Sequence, residues 1–259
     1  MNALCLKDIK FGYEDNEEIF SGFSLEISEG DFLAIIGPNG SGKTTLLKLA
    51  AGLLKPLSGM IEVFGQNLLS LRPKERGKLI GYMPQESHFL YNFQVKEIVL
   101  MGRYPYQKRW EKEKREDISI AEMAMKMTNT YQFREKGIEE LSSGERQRVV
   151  LARVLAQKPR ILLLDEVTSH LDIGQTMEIL RILLDLNRRE KITFLLAVHD
   201  INIALLVAQR ILVLHKGKIV ICDTPEKAIS PELLKEIYGY KPTLGIHPEL
   251  KIPWVFFNL

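Results

Sequence analysis

Apolar and polar residues alternate near the beginning of the chain, in the pattern of strands that bury only one face. The first alternating stretch slips once, and the second is regular. The apolar positions are Leu4, Leu6, Ile9, Phe11 and Tyr13, followed by Phe23, Leu25 and Ile27. Residues 31–36, with the sequence DFLAII, are instead apolar throughout after the first residue. We therefore predict antiparallel strands, followed by a strand that is covered on both faces.

A glycine-rich turn at residues 37–43 follows this buried strand, and residues 44–54 have the spacing of a helix. A strand, a glycine turn and a helix in that order open a βαβ unit. Later apolar runs typical of buried strands also alternate with helix-like runs. The strand-like runs are 160–166, 192–200 and 210–214, and the helix-like runs are 173–190 and 201–209. The alternation predicts an α/β fold with a largely parallel sheet and helices on both sides.

Residues 86–158 break this alternation, because they contain no strand-like run and three stretches with helical spacing. These stretches are 95–103, 115–130 and 144–157. We expect a single domain, with a core formed by 1–85 and 159–223 that includes the antiparallel β-subdomain, and with an α-helical subdomain inserted at 86–158. The proline-rich C-terminal extension, 224–259, predicts short helices. Its apolar end, IPWVFFNL, is expected either to pack on the core or to be held by a partner.

The charge balance argues against a nucleic-acid-binding protein. The 259 residues include 35 Lys and Arg against 33 Asp and Glu, a formal net charge of +2, so the chain has no global basic field. The run at 103–116 mixes both signs with aromatic residues, and a solvated surface explains it better than a nucleic-acid patch. Any recognition of an anion must therefore be local.

Cysteine usage and hydropathy further narrow the class of protein. Cys5 and Cys222 lie in apolar, strand-like runs and are expected in the core rather than in a redox or metal site. The N-terminus lacks the long apolar segment of a secretory signal. No window approaches the ~18 consecutive apolar residues that span a bilayer. We expect a cytosolic protein that can dock on a membrane protein.

Local anion recognition is predicted for residues 37–44, whose sequence GPNGSGKT matches the phosphate-loop pattern G-x-x-x-x-G-K-[ST]. The backbone N–H groups of such a loop surround a phosphate chain, and its glycines permit the close approach. Lys43 is expected to reach the β- and γ-phosphates, the Thr44 hydroxyl to contact Mg²⁺, and Thr45 to lie near the α-phosphate. The other predicted loop residues are Gly37, Pro38, Asn39, Gly40, Ser41 and Gly42.

Two acids end the apolar run ILLLDE at residues 161–166, where α/β sheets place ligands at their carboxyl edge. We expect Asp165 to act on Mg²⁺, through water, and Glu166 to orient or deprotonate the attacking water. Adjacent acids after a buried strand can also be helix-capping charges. The phosphate loop elsewhere in the chain favours the catalytic interpretation.

The motif LSSGERQ at residues 141–147 has two interpretations. Taken alone it is a helix cap, in which Ser142 or Ser143 faces Glu145 or Arg146. Ser142 and Gly144 also lie at the beginning of a helix-like run, where a helix N-terminus can receive a phosphate. The motif by itself favours the cap.

Together, these motifs occur in an order that closely resembles the ATP-binding subunits of ABC transporters. The ordered set is Tyr13, GPNGSGKTT, Gln85, LSSGERQ, ILLLDE, SHLD at 169–172 and His199. The resemblance extends over nearly the whole chain. It implies a P-loop NTPase core, ATP and Mg²⁺ as cofactors, and hydrolysis of ATP.

The resemblance also implies roles for residues that would otherwise be ordinary. Tyr13 would stack on adenine, Gln85 would sense Mg²⁺ and the attacking water, and His199 would contact the γ-phosphate. Without the family pattern, Gln85 would be a surface loop residue and His199 a structural residue at the end of a strand.

In this family two copies sandwich two ATP molecules head to tail. The resemblance implies that the phosphate loop of one copy faces the signature residues of the other copy. Those residues are Ser142, Ser143, Gly144 and Glu145. Ser169 and Asp172 would belong to the loop through which the copies communicate. Loss of the γ-phosphate on hydrolysis would remove the attraction and let the pair open.

The sequence departs from the usual family pattern at four positions. These are Ser143, Glu145, Val167 and His170, where Gly, Gln, Pro and Ala are common. The phosphate-facing Ser142 and Gly144 match the pattern, so we expect activity to survive. Glu145 and His170 are expected to alter the contact between copies or its pH response.

The stretch VKEIVLMGRYPYQKRW is similar to V-x-E-V-V-x-x-G-R-x-P in ATPases that serve importers of iron siderophores, haem, cobalamin or molybdate. Arg103 and Pro105 could also be an ordinary helix stop. The similarity implies a peripheral protein at the cytoplasmic face of the inner (cell) membrane, bound to integral membrane permease subunits and indirectly to a substrate-binding protein. The alternative is a soluble ABC ATPase of DNA repair or translation. The cargo is not encoded in these residues.

Overall fold

A computed structural model describes residues 1–13, 18–87, 89–108, 113–169 and 171–257. The contacts of the chain divide it into two units. Unit 1 comprises Met1–Ser70 and Thr193–Leu259, and unit 2 comprises Leu71–Ile192. His170 lies outside the described residues, as do residues 109–112 of the charged aromatic run.

Strands and helices occupy most of the described residues. The strands are β1 (Asn2–Gly12), β2 (Glu18–Ser28), β3 (Phe32–Ile36), β4 (Ser58–Val63), β5 (Gln66–Asn67), β6 (Ile80–Met83), β7 (Ile161–Asp165), β8 (Thr193–Ala197), β9 (Arg210–His215), β10 (Lys218–Asp223), β11 (Thr243–Ile246) and β12 (Pro253–Phe256). The helices are α1 (Lys43–Ala50), α2 (Pro73–Leu79), α3 (Val95–Met101), α4 (Arg115–Met127), α5 (Ser143–Leu155), α6 (Ile173–Glu190), α7 (Ile201–Val207), α8 (Pro225–Ala228) and α9 (Pro231–Tyr238).

The beginning of unit 1 is an antiparallel sheet with the strand order β2-β1-β4-β5. The pairing of β1 with β2 shifts register between Leu6 and Ile9. Asp8, inside this shift, has φ of +49°. An extra residue in one strand reverses which face the following side chains point to. The slip in the alternating pattern is therefore this bulge, and the predicted antiparallel strands are confirmed.

Four further strands of unit 1 follow the order β10-β9-β3-β8. β3 runs parallel to both β8 and β9, and β10 is antiparallel to β9. All residues of β3 are buried, and the Phe32 ring stacks on that of Phe194 with centroids 4.9 Å apart. Burial on both faces explains the continuous apolar run, and the glycine turn leaves the carboxyl end of this strand.

Unit 2 contains the parallel pair β6 and β7 and a group of packed helices, α3, α4 and α5. An almost fully buried ion pair joins Arg103 Nε to Asp117 Oδ1 at 2.8 Å. Arg103 Nη1 also donates to the carbonyl oxygen of Ala156 at 2.8 Å. Arg103 therefore ties the end of α3 to α4 and to the end of α5, which a simple helix stop would not do.

The predicted α/β class, with a parallel-dominated sheet, an antiparallel sheet and helices, is confirmed. The three helical stretches predicted between residues 86 and 158 correspond to α3, α4 and α5. The division into a core, an inserted subdomain and an extension stays a prediction. Cys5 is buried as expected, whereas Cys222 is only half-buried because it lies on the outermost strand, β10. Arg210 Nη2 donates to its sulfur at 3.2 Å.

The C-terminal segment contains the predicted short helices, α8 and α9, and also a hairpin, β11–β12, that the sequence pattern did not predict. The hairpin packs on α7: Asn202 Nδ2 donates to the Val255 carbonyl at 3.0 Å, and Val255 N donates to Asn202 Oδ1 at 2.9 Å. The apolar end therefore packs on the core through Val255, while Phe256 and Phe257 are exposed.

Within the ranges described above, no helix combines the length and apolar character needed to cross a membrane.

Candidate active site

The predicted site residues form two sets, one in each unit. Unit 1 holds Tyr13, the phosphate loop with Thr44 and Thr45, and His199. Unit 2 holds Gln85, the signature residues 142–145 and the acids Asp165 and Glu166.

The phosphate loop connects the end of β3 to the beginning of α1. Gly40 and Gly42 have φ of +74° and +105°, in the left-handed region that favours glycine. Gly42 is also the N-cap of α1, and a Cβ added there would lie 2.9 Å from Phe20 Cζ. Backbone conformation and packing therefore both require glycine at the entrance to this helix.

Lys43 folds back over the loop that precedes it. Its Nζ donates to the carbonyl oxygens of Gly37 at 2.9 Å and Pro38 at 3.3 Å, and the residue is only 5% exposed. Two neutral carbonyl oxygens therefore help to hold the ammonium group inside the loop. A phosphate oxygen, which carries charge, would be a stronger acceptor for the same protons.

Ser41 supplies an independent test of whether a phosphate fits the loop. The residue is 3% exposed, and its hydroxyl oxygen has no hydrogen-bond partner within the described part of the chain. Leaving a buried hydroxyl unsatisfied costs about 1–3 kcal/mol. A phosphate oxygen would accept the Ser41 proton, so the donor set of this loop fits a nucleotide.

Tyr238, at the end of α9, is a neighbour of the loop that the sequence did not predict. Its phenol lies beside the backbone N–H of Gly37. Burial raises the pKa of Tyr238 to about 12, and the nearby backbone N–H of Gly37 opposes that rise, although the phenol oxygen makes no hydrogen bond within the described part of the chain. The C-terminal segment therefore contacts the first residue of the phosphate loop with a protonated, neutral side chain.

Tyr13 lies beside the phosphate loop with part of its ring open to solvent. Its hydroxyl is 3.4 Å from Thr45 Oγ1, and its ring meets that of Phe11 edge to face with centroids 5.0 Å apart. Tyr13 is 47% exposed, whereas its neighbour Phe11 is buried. An exposed ring within reach of the loop is the arrangement that stacking on adenine needs.

His199 and Thr44 complete the predicted site residues of unit 1. His199 is exposed and lies between the buried strand β8 and α7, directly before Asp200, the N-cap of α7. Thr44 is half-buried in the first turn of α1. Neither position tests the role that the family pattern implies.

The acidic pair in unit 2 is almost completely buried. Asp165, at the end of β7, is 2% exposed, and its Oδ2 accepts a hydrogen bond from the Tyr82 hydroxyl at 3.1 Å. Glu166 is 8% exposed and has φ of +51°. This left-handed conformation costs a non-glycine residue of the order of 1–3 kcal/mol. Ser169 holds it in place, because its N–H and its hydroxyl both donate to the Glu166 carbonyl.

The signature helix contacts the segment that follows the acidic pair. Gln147, the last residue of LSSGERQ, donates from Nε2 to the carbonyl oxygen of Val167 at 3.1 Å. Val167 is buried, so a hydrophobic residue replaces the usual proline without exposing apolar surface. Gln85 is exposed and follows β6 by two residues. Unit 2 therefore brings the signature helix together with the acids.

Ser142 is the N-cap of α5, and Glu145 completes a capping box with it. The Ser142 hydroxyl and backbone N–H both donate to Glu145 Oε2 at 2.8 Å, and Glu145 N donates to Ser142 Oγ at 3.4 Å. The hydrogen bonds from the Ser142 side chain and then its backbone lower the pKa of Glu145. The cap interpretation therefore describes the geometry of the chain by itself, with Ser142 rather than Ser143 as the cap.

Gly144 is buried against the beginning of α6. A Cβ at this position would overlap the side chain of Gln175. Asp172, expected in the loop between copies, is the N-cap of α6, and its Oδ1 accepts from Gln175 N at 2.8 Å. The signature turn and the start of α6 therefore form one packed structure.

Comparison with known proteins identifies the family. The ABC transporter family model matches residues 20–169. The ferric enterobactin transport ATP-binding protein FepC of Escherichia coli (strain K12) is 36% identical over 237 residues, which cover 92% of this chain and 88% of FepC. The uncharacterized ABC transporter ATP-binding protein YvrA of Bacillus subtilis (strain 168) is 37% identical over 247 residues. This match covers 94% of this chain but only 55% of YvrA.

Solved structures show the same fold. An inward-facing structure of a metal-chelate type ABC transporter aligns with a TM-score of 0.86 and 28% identity, covering 98% of this chain and 96% of the other. A dimeric, post-hydrolysis structure of the ATP-binding cassette MJ0796, bound to ADP and Pi, aligns with a TM-score of 0.76 and 29% identity, covering 85% and 98%. This chain therefore belongs to the ABC transporter family, whose ATP-binding domains are ATP hydrolases.

Proposed function

We propose that this chain is the ATP-hydrolysing subunit that powers the import of a metal chelate through a membrane permease. The chelate class is an iron siderophore, haem, cobalamin or a related substrate such as molybdate. The observation that carries this proposal is the alignment with a metal-chelate type transporter, which covers 98% of this chain. The similarity to FepC, a ferric enterobactin transport protein, supports the same class.

In the proposed site, unit 1 binds the nucleotide. Tyr13 stacks on adenine, and the loop N–H groups with the Ser41 hydroxyl donate to phosphate oxygens. Lys43 exchanges its two carbonyl acceptors for β- and γ-phosphate oxygens, and Thr45 lies near the α-phosphate. His199 donates to the γ-phosphate.

Unit 2 supplies the acids for hydrolysis. Mg²⁺, when bound, neutralises developing charge on the phosphate oxygens. Thr44, Gln85 and Asp165 are the residues proposed to hold it, with Tyr82 fixing the orientation of the Asp165 carboxylate. The Glu166 carboxylate accepts a proton from the attacking water. Its strained backbone is clamped by Ser169, so the carboxylate is oriented in advance.

The site is proposed to be complete only in a pair of copies. Ser142 and Gly144, with Ser143 and Glu145 beside them, are at the beginning of α5, where free N–H groups and the helix dipole favour a phosphate. The dimeric structure of the similar cassette MJ0796 supports such a pair. Hydrolysis removes the charge that holds both copies, and the pair opens.

A groove in unit 2 supports contact with permease subunits. It has a volume of about 300 Å³, and its lining includes Leu100, Ile118, Met125, Lys96 and Glu122, on α3 and α4. Large apolar side chains of unit 2 are exposed outside it as well. They include Leu90, Tyr91, Met101, Tyr104 and Met123. Exposed apolar surface with charged neighbours marks protein contacts. We place the permease here, which puts the chain at the cytoplasmic face of the cell membrane, with a substrate-binding protein acting from the other side.

The proposal is tested by reconstituting the chain in vesicles with its permease subunits. The wild type is expected to hydrolyse ATP and take up a radiolabelled iron chelate. Glu166→Gln should still bind ATP but stop turnover, and should accumulate as an ATP-bound dimer in size-exclusion chromatography with light scattering.

Glu190→Gln is the matched control, because it makes the same change on an exposed side chain at the end of α6. It should behave like the wild type. Hydrolysis by Glu166→Gln at the wild-type rate would remove Glu166 from its role. Hydrolysis without uptake of any chelate of this class would contradict metal-chelate import.

A further inference from the structure

The hydroxyl proton of Ser142 is already in use. A serine hydroxyl has one proton to donate, and this one goes to Glu145 Oε2 at 2.8 Å. The same carboxylate oxygen also accepts the backbone N–H of Ser142 at 2.8 Å. Both donors that Ser142 could offer to a phosphate are therefore bound to an anion of the chain itself.

The carboxylate of Glu145 also occupies the electrostatic role of the phosphate. α5 has 13 residues, and its N-terminus stabilises a negative charge. The lowered pKa of Glu145 has its main cause in the Ser142 hydroxyl, with Arg148 and Lys136 adding attraction. A γ-phosphate that approached this turn would meet a like charge on the same donors.

The backbone of the turn is fixed by its neighbours. Arg146 Nε donates to the Leu141 carbonyl at 3.0 Å, just before the turn. Gly144 is buried against Gln175, whose N–H is in turn held by Asp172. The Glu145 side chain, in contrast, is only half-buried. The donors of Ser142 can therefore be released by rotation of one side chain, without movement of the helix.

We propose that Glu145 is a positioning residue that withholds Ser142 from the γ-phosphate of the second copy's ATP until that phosphate displaces the carboxylate. The Ser142–Glu145 pair thereby raises the ATP concentration at which two copies associate. This proposal rests on the proposed function, because it needs the head-to-tail pair. It assigns a specific effect to the acid that replaces the usual glutamine of the family.

The test compares variants in a Glu166→Gln background, in which hydrolysis does not dissolve the pair. Glu145→Gln keeps an oxygen that can cap α5 but removes the charge. Because hydrogen bonds to an ionised acceptor are roughly twice as strong as neutral ones, the ATP concentration for half-maximal pairing should fall about fivefold. Analytical ultracentrifugation across an ATP titration measures this concentration.

Glu140→Gln is the matched control. Glu140 caps the preceding turn in the same way, with Oε1 accepting from Gly137 N at 2.7 Å, but Gly137 has no hydroxyl to withhold. Glu140→Gln removes the same charge near the signature motif and should leave the ATP concentration for half-maximal pairing unchanged. Two further readouts separate positioning from stability: the small decrease in melting temperature from the weakened cap should be similar in Glu145→Gln and Glu140→Gln, and the ATP affinity of the dilute monomer should be equal in all variants.

The outcomes distinguish the two proposals. Failure of the Glu166→Gln protein to pair at saturating ATP overturns the proposed function, and the role of Glu145 with it. If Glu145→Gln leaves the ATP concentration for half-maximal pairing unchanged, or raises it, only the role of Glu145 is overturned. An equal shift in Glu140→Gln also overturns it, because the effect would then come from net charge.

Discussion

Two helices of this protein begin where a phosphate is proposed to bind, and their first turns differ in one respect. The N-cap of α1 is Gly42, which has no side chain, and the first turn contains the cation Lys43 and no acid. The N-cap of α5 is Ser142, closed by the carboxylate of Glu145. No acid of the first turn of α1 therefore competes with a nucleotide for the donors of that turn. The hydroxyl and backbone N–H of Ser142, in contrast, are bound to an anion of the chain itself.

The difference gives an order of events. In the proposed mechanism, ATP binds first to the phosphate loop, where Lys43 and the Ser41 hydroxyl, which has no partner among the described residues, donate to its phosphates. The signature turn then binds the phosphate of a second copy only after that phosphate replaces the Glu145 carboxylate. Association of two copies therefore depends on nucleotide in a way that binding to one copy does not. Variants at each helix should separate the two steps.

The largest effect is expected for Lys43→Ala. Removal of the buried ammonium deletes charge-assisted hydrogen bonds to the phosphates, each worth about 1.5–3 kcal/mol, so ATP affinity should fall about 100-fold. Isothermal titration calorimetry on the monomer measures it. Lys48→Ala is the control, since Lys48 is in the last turn of the same helix. Unchanged affinity in Lys43→Ala, or an equal loss in Lys48→Ala, would contradict the assignment of the phosphate loop.

Only part of the contrast between the first turns of α1 and α5 could be predicted from the sequence. The phosphate loop is a local pattern, because glycine, lysine and threonine at fixed spacing after a buried strand determine both backbone and chemistry. The capping box of α5 was also visible as Ser142 and Glu145 at the required spacing. What the pattern could not show is that the hydroxyl proton points to the carboxylate, since the spacing is equally compatible with an open turn.

Other parts of the site depend on contacts between distant residues. Tyr238 lies beside Gly37, which is some 200 residues earlier in the sequence, and hydrophobic periodicity does not indicate contacts between such distant residues. The left-handed backbone of Glu166 is imposed by the Ser169 hydrogen bonds, whereas propensity alone would favour glycine there. The hairpin β11–β12 was missed because each strand has only four residues, too few for a period to be visible. The packing of this hairpin on α7 determines its structure instead.

A smaller effect is expected for Gly144→Ala, which tests the rigidity of the signature turn. The added Cβ would overlap Gln175 and displace the turn, so the ATP concentration for half-maximal pairing in a Glu166→Gln background should rise about tenfold. Adding Gln175→Ala removes the obstacle and should restore most of the pairing. Gln175→Ala by itself is the control. No recovery in the double variant would show that the glycine admits the phosphate directly, instead of keeping the turn in place.

The smallest effect is expected for the stability of the α5 cap, which should depend on pH. Glu145 has a pKa below its ordinary value of 4.5 in the folded chain, so its carboxylate stabilises the native cap fully above that value. The stabilisation is lost as the pH falls through the lowered pKa, because the protonated group no longer binds both donors of Ser142. For a half-exposed acid at a helix N-terminus the loss should be about 0.3–1 kcal/mol.

Amide hydrogen-exchange protection, corrected for the intrinsic pH dependence, should therefore fall below pH 4.5 in the first turn of α5. It should not fall in the first turn of α1, which has no acid to protonate. Parallel loss of protection in both helices would mean that the two N-termini differ less than their caps suggest.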